Sequence, residues 1–270
     1  IELDVPLNRE MAILRPSVLT GLLKAVLANQ SKSQYNSCFF EVAHQFQHQN
    51  GKIVEESVAA GIRGQNNSGK HWSGPCRLVD VFDAKADVQN TLEFLGINGY
   101  QIEAVAPDYY HPGRSGAFKQ GPRILAYFGE VHPSVMAELG VKGPAVGFEL
   151  FMDRLPAVSA KPKGPLTLSP YQAVTRDFGF IVPADLKADA LIKTIQKIDK
   201  ALIQDIQIFD VYQGKKLEAG KKSIAVEVKL QAPDRTLSEK ELEQFSADVI
   251  EAVRKNCQGV LRLHYEGEFS

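Results

Sequence analysis

From about residue 176 onward, apolar and polar positions alternate in short runs, and two longer stretches of helical period separate them. In Ser223 to Leu230, Ile224, Val226, Val228 and Leu230 share one face, while Ser223, Ala225, Glu227 and Lys229 share the other. A period of two assigns these sets to opposite sides of a strand, one core and one solvated. In Arg176 to Val182, Phe178, Phe180 and Val182 fall on the apolar side and leave Asp177 and Gly179 opposite. Phe209 and Val211 read as inward, so Asp210 and Tyr212 read as outward. A last strand, Val260 to Leu263, is expected to bury Leu261 and Leu263 and expose Arg262. Two amphipathic helices are expected between these strands: Lys187 to Ile198 with the stripe Leu191, Ile195, Ile198, and Glu239 to Lys255 with Leu242, Phe245, Val249, Val253. Ser238 and Glu241 have capping-box spacing at the start of the second. The order strand, helix, strand, strand, helix, strand predicts a ferredoxin-like βαββαβ domain over 167–264, both helices on one face of an antiparallel sheet and the other face open.

Upstream, Thr20 to Ala28 carries Leu22, Leu23, Val26 and Leu27 at helical spacing, and Cys38 to Phe46 reads as a strand. Asp83 to Leu95 reads as a helix with Ala84, Val88, Leu92 and Leu95 on one stripe and Gly96 at its end; Asp80 or Asp83 caps it and Asp87 is expected in solvent. Ile124 to Val131 and Ala145 to Met152 read as further strands. The class is therefore α+β: an antiparallel sheet with flanking helices over 1–157, then the small domain. Two prolines and a glycine in Ser159 to Pro165 mark a linker over 158–166, and 265–270 is a tail.

With 270 residues and 44% hydrophobic content, the chain can bury two modest cores. A net charge of −1 argues against non-specific capture of a polyanion, so any nucleic-acid contact is local. Glu239, Glu241, Glu243, Asp248 and Glu251 concentrate on one helix and read as solvated surface. Three cysteines, Cys38, Cys76 and Cys257, without CxxC spacing favour neither a disulfide framework nor a zinc knuckle, which fits a reduced cytoplasmic setting. No apolar run approaches the ~20 residues of a membrane span. The opening Ile1-Glu2-Leu3-Asp4 reads as a piece of something longer.

The open face collects Asp177, Gly179, Asp210, Tyr212, Ser223, Ala225 and Arg262. Such a face suits an unstacked base: a ring stacks, contributing ~1–3 kcal/mol per base, small residues give clearance and a carboxylate accepts from a base edge. The adjoining hairpin offers Lys215, Lys216, Lys221 and Lys222 against Glu218, a track for phosphates. On composition alone, the same residues also read as an ordinary strand aromatic and a solvated turn.

Three segments, Arg176 to Val182, Phe209-Asp210-Val211-Tyr212-Gln213-Gly214 and Pro233 to Ser238, resemble the anticodon-binding domain of the beta subunit of bacterial phenylalanyl-tRNA synthetase. Pro6 to Ser17, Phe40-Glu41-Val42, Asp80 to Val88, His111-Pro112-Gly113-Arg114-Ser115 and Gly129 to Pro133 resemble successive landmarks of that subunit's catalytic-like module. The resemblance implies a class II synthetase-like sheet in 1–157, assembly with an alpha subunit into an (alpha-beta)2 heterotetramer, and binding of tRNA(Phe). It implies that Tyr212 stacks on the first anticodon base, Asp210 accepts from guanine N1 and N2, Ser223 adds a hydrogen bond and Arg262 holds base or backbone. Gly179 stands where the family more often has alanine. A purely structural assembly module is the competing reading.

A class II active site needs an arginine in its second motif and a glycine-rich third motif ending in arginine. Here Phe40-Glu41 is followed by Val42-Ala43-His44, and in Gly147 to Leu155 the residue Phe151 fills a place where glycine would be needed. No catalytic residue is therefore assigned, and the resemblance places ATP and Mg2+ with the whole synthetase rather than this fragment. His44 and His48 have metal-pair spacing for a helix but fall in an expected strand, and Asp80, Asp83 and Asp87 are better explained by capping, so no metal site is assigned. Tyr109-Tyr110 and the His-Pro-Gly-Arg-Ser run after them fit a ligand loop or a buried turn.

Overall fold

The computed structural model describes residues 1–6, 12–49, 51–69, 71–72, 74–157, 169–214 and 217–262. The chain divides into two compact units, Ile1–Lys161 and Pro162–Ser270. The expected linker 158–166 and tail 265–270 lie outside the described residues, as do Lys215, Lys216 and Leu263.

The first unit runs α1 (Leu19–Gln30), β1 (Cys38–Gln49), β2 (Lys52–Gly64), α2 (Val81–Phe94), β3 (Gln101–Glu103), β4 (Tyr110–Gln120), β5 (Arg123–Val131), α3 (Pro133–Leu139) and β6 (Ala145–Phe151). Its strands form one six-stranded sheet, β1-β2-β6-β5-β4-β3, antiparallel throughout. The sheet is apolar on both sides. Leu19, Leu22, Leu23 and Val26 of α1 and Met136 of α3 pack on Val58, Ala60 and Ile62. Ala84, Val88 and Leu92 of α2 pack on Phe118, Leu125, Phe128 and Val146 from the other side.

Asp80 caps α2, accepting from Phe82 N at 2.8 Å, and Asp83 returns to Asp80 N at 2.9 Å, a complete capping box. Gly96 follows the helix at φ +73°, the left-handed turn that favours glycine. Two expectations are corrected. Leu95 is exposed rather than on the buried stripe. Asp87 is not free in solvent: both its oxygens accept from Arg63, each at 2.7 Å, and this pairing pushes the Arg63 guanidinium pKa up. The His111 to Ser115 run, expected as a loop or turn, belongs to β4. Its pairing with β5 shifts register between Tyr110 and Ser115, and β3 pairs only with Ala117 to Lys119, so Pro112 sits where a missing N–H is tolerated.

Behind this irregular strand lies a buried carboxylate. Glu149, on β6, is fully buried and accepts from Ser17 Oγ at 2.6 Å, Tyr109 OH at 2.7 Å and Tyr110 OH at 3.4 Å. Burial raises its pKa above the ordinary carboxylate range, while the three hydroxyls pull it back down; burial also raises both tyrosines. Between the ordinary carboxylate pKa of ~4.3 and the raised native value, the native state binds the extra proton, so stability falls as pH rises through that window. Glu149→Gln removes this term; in paired urea titrations the stability of the variant minus that of the parent is expected to climb with pH above ~4.3 and then level off. A difference that stays flat from pH 4 to 8 contradicts the assignment.

The second unit runs β7 (Val174–Pro183), α4 (Ala188–Gln196), β8 (Ile203–Tyr212), β9 (Lys221–Leu230), α5 (Glu239–Cys257) and β10 (Val260–Leu261). This is the βαββαβ order that the alternation predicts, with sheet order β10-β7-β9-β8, antiparallel throughout. Phe178, Phe180, Val182, Ile224, Val226, Val228 and Leu230 meet Leu191 and Ile195 of α4 and Leu242, Phe245, Val249 and Val253 of α5 in a single core. The α5 capping box is formed. Glu241 accepts from Ser238 N at 2.9 Å and is also gripped by Arg235, which together hold its carboxyl down at about 2.

Candidate functional site

Register decides which side chains share the uncovered face of the small sheet. Gly179 of β7 lies opposite Ala225 of β9, which lies opposite Asp210 of β8; one row along, Ile181, Ser223 and Tyr212 form the next line. Phe178, Phe180 and Val182 point the other way, into the core under α4 and α5. Gly179, Asp210, Tyr212, Ser223 and Ala225 therefore stand together on the side that no described helix covers. Asp177 shares it, opposite Glu227.

Arg262 reaches the same surface from the edge. Its backbone N donates to Gly179 O at 2.7 Å, carrying the β10 ladder one residue further, and its Nη1 donates to Ser223 Oγ at 3.3 Å. The side chain crosses Gly179, where a methyl group would lie 3.5 Å from Arg262 Nε, an ordinary contact distance. Alanine would thus fit this position without displacing the arginine. The face is not bare: Ser223 and Ala225 are 1% and 4% exposed, while Asp177, Asp210, Tyr212 and Arg262 are exposed.

Strand β8 departs from the expected pattern. Pairing with β9 shifts register between Ile208 and Asp210, so Phe209 is the extra residue of a β-bulge. Alternation from Ile208 puts Phe209 on the uncovered side, and pairing with Ala225 puts Asp210 there as well. The expectation that Phe209 faces inward is therefore corrected, and it is 59% exposed; Val211, opposite Ile224, keeps the expected direction but is 57% exposed, and the core takes Ile203, Ile206 and Ile208 from this strand instead. Strict alternation read backward from Tyr212 missed the insertion. The apolar pair Ile206 and Ile208, out of phase with Phe209 and Val211, is the available signal.

The lysine track is also rearranged. Lys221 shares the side of Ser223 and pairs with Glu218 at 3.0 Å. Lys222 lies opposite Val182, on the helix side, and its Nζ donates to Leu186 O at 2.7 Å, so it is directed away from the face on which it was expected to act.

In the first unit, the region resembling a third synthetase motif is closed by its own side chains. Arg154 donates to Glu56, with Nε 2.9 Å from Oε1, and its guanidinium lies 3.8 Å from the Phe151 ring centre. His44 and His48 both lie on β1, four residues apart on a strand and so roughly 13 Å apart. Among the described residues no group of three or more His, Cys, Asp or Glu side chains is arranged to hold a metal ion. Among the described helices none is long and apolar enough to cross a membrane.

Residues 1–152 match the family model described as the phenylalanyl tRNA synthetase beta chain CLM domain, and residues 169–262 match the ferredoxin-fold anticodon binding domain. The chain is 45% identical over 262 residues to the phenylalanine–tRNA ligase beta subunit of Rhodospirillum rubrum, covering 95% of this chain and 33% of that one. It is 42% identical to the same subunit of Paramagnetospirillum magneticum, over 95% of this chain and 33% of the relative, and 42% identical to that of Mesorhizobium japonicum, over 97% and 34%. It thus spans about a third of the length of these relatives. The chain belongs to the phenylalanyl-tRNA synthetase beta-chain family.

Proposed function

We propose that residues 167–264 bind the anticodon of tRNA(Phe) and that residues 1–157 are a degenerate, non-catalytic copy of a class II synthetase module that supplies assembly surface for an alpha subunit. The observation that carries the first half is the convergence of Tyr212, Asp210, Ser223 and Arg262 around the small residues Gly179 and Ala225 on one uncovered sheet face. In this reading Tyr212 stacks on the first anticodon base and the Asp210 carboxylate accepts from guanine N1 and N2. Arg262, held near Ser223, gives the base or its backbone a cation. In this reading Lys221, on the side of Ser223, exchanges its partner Glu218 for a phosphate.

The second half is supported by the way Arg154 is engaged by Glu56 and Phe151, which ties up that guanidinium rather than offering it to a nucleotide. Aminoacylation, with its ATP and Mg2+, belongs in this reading to the whole (alpha-beta)2 synthetase in the cytoplasm.

Affinity for anticodon stem-loop RNA tests the proposal. A loop with guanine at the first anticodon position is expected to bind about 5- to 100-fold more tightly than the same loop with adenine there, since adenine presents an acceptor where guanine donates. Equal affinity for the two loops overturns anticodon reading. No detectable binding of either, with assembly onto an alpha subunit retained, favours the structural module.

A further inference from the structure

Gly214 follows β8 by two residues, outside the ladder and outside the set of polar groups described above. It has no positive φ, so the backbone does not require glycine for its conformation. What a side chain here would disturb is the neighbouring ring. A Cβ at this position would sit 2.5 Å from the Tyr212 hydroxyl oxygen, 2.8 Å from Cζ and 3.2 Å from Cε2. The hydroxyl end of the ring therefore lies against the bare backbone of residue 214, in room that any side chain would take.

We infer that Gly214 is a positioning residue for the Tyr212 ring, setting the attitude at which the ring meets a base. The inference rests on the stacking role given to Tyr212 under the proposed function. Tyr212 ends the outer strand of the sheet and is 39% exposed, so packing against neighbours restrains it less than it restrains a core aromatic. Contact with the backbone at residue 214 supplies the missing restraint. Adding one methyl group forces the hydroxyl end aside by roughly 1 Å to recover van der Waals separation. Because the atoms displaced are the far end of an exposed side chain, the ring moves and the fold stays. A stacking surface depends on ring orientation, so the displacement is read out in RNA affinity.

The experiment is a double-mutant cycle in the full chain with anticodon stem-loop RNA at fixed salt, using the parent, Gly214→Ala, Tyr212→Ala and the double variant. Gly214→Ala is expected to weaken binding about five-fold or more, and in the Tyr212→Ala background it is expected to change nothing further. NMR of the RNA-free proteins supplies an independent readout: the Tyr212 ring resonances are expected to shift in Gly214→Ala while the core methyl resonances hold their positions. Parent-like affinity of Gly214→Ala beside a weakened Tyr212→Ala overturns the positioning role alone, as do losses that multiply in the double variant or unmoved ring resonances. Parent-like affinity of Tyr212→Ala overturns the stacking reading and this inference with it.

Discussion

Replacing Tyr212 with alanine is expected to weaken binding of the anticodon stem-loop by about 5- to 150-fold, the equivalent of ~1–3 kcal/mol for one stacked base. The size follows from what the ring is and where it stands. It is the aromatic side chain in the row with Ile181 and Ser223, at the rim of a face whose centre is filled by small residues. Tyr212→Phe keeps the stacking surface and is expected to retain most of the affinity. Asp210 lies opposite Ala225 in the next row, and in the proposed reading it meets the edge of the base rather than its face. Asp210→Ala is therefore expected to erase the preference for guanine over adenine, whereas Tyr212→Ala lowers affinity for both loops alike. Fluorescence anisotropy at one moderate salt concentration separates these outcomes, and salt must be held constant because phosphate contacts scale steeply with it. Unchanged affinity of Tyr212→Ala for both loops would falsify the stacking assignment.

Phe180→Ala should cost the second unit ~3–5 kcal/mol, the range for emptying a buried aromatic site. Phe180 is fully buried, pairs with Ile224 and Leu261 on its two sides, and lies beside Phe178 with ring centres 6.1 Å apart. Phe209→Ala should shift stability by no more than about 0.5 kcal/mol, since this ring is largely in solvent. Strict alternation ranks both as core residues of equal weight, so the pair of variants measures the bulge directly. Urea unfolding followed by circular dichroism gives the two shifts. A large loss from Phe209→Ala would place that ring in the core and restore uninterrupted alternation.

The contrast shows which parts of the fold are legible in the chain. Helices α4 and α5 and strands β7 and β9 could be read because their large apolar residues keep a single phase: Ile224, Val226, Val228 and Leu230 enter the core, while Ser223, Ala225, Glu227 and Lys229 stay out of it even where the first two are buried. The capping box at Ser238 was readable for a local reason, a side chain three residues from its partner; at α2, where either Asp80 or Asp83 is expected as the cap, the structure uses both. What escaped was set by distant residues. The partnership of Asp87 with Arg63 joins a helix to a strand, and the sequence around Asp87 holds no trace of it. Strand β2, from Lys52 to Gly64, lies between β1 and β6 with apolar residues on both faces in its second half, which blurs a period of two. The His-Pro-Gly run of β4 reads as a turn because its residue types favour turns, yet the sheet accepts it where no described strand pairs on its outer side.

In the site, Gly179, Asp210, Tyr212, Ser223 and Arg262 could be placed on one surface from alternation, since the bulge at Phe209 lies before Asp210 and leaves the phase after it intact. Lys222 was not placed well. Charge density suggested a shared role for the hairpin lysines, but alternate residues of a strand face opposite ways, and Leu186 offers this one a carbonyl on the far side.

The double irregularity of β8 has a consequence for solubility. Its pairing slips near Gln204 and again at Phe209, on the outermost strand of the sheet, where unpaired amides and carbonyls would otherwise form a regular template. An intruding chain would find those groups out of step twice within ten residues. That mismatch discourages strand-by-strand aggregation and lets apolar Phe209 and Val211 remain on a rim that would otherwise invite it.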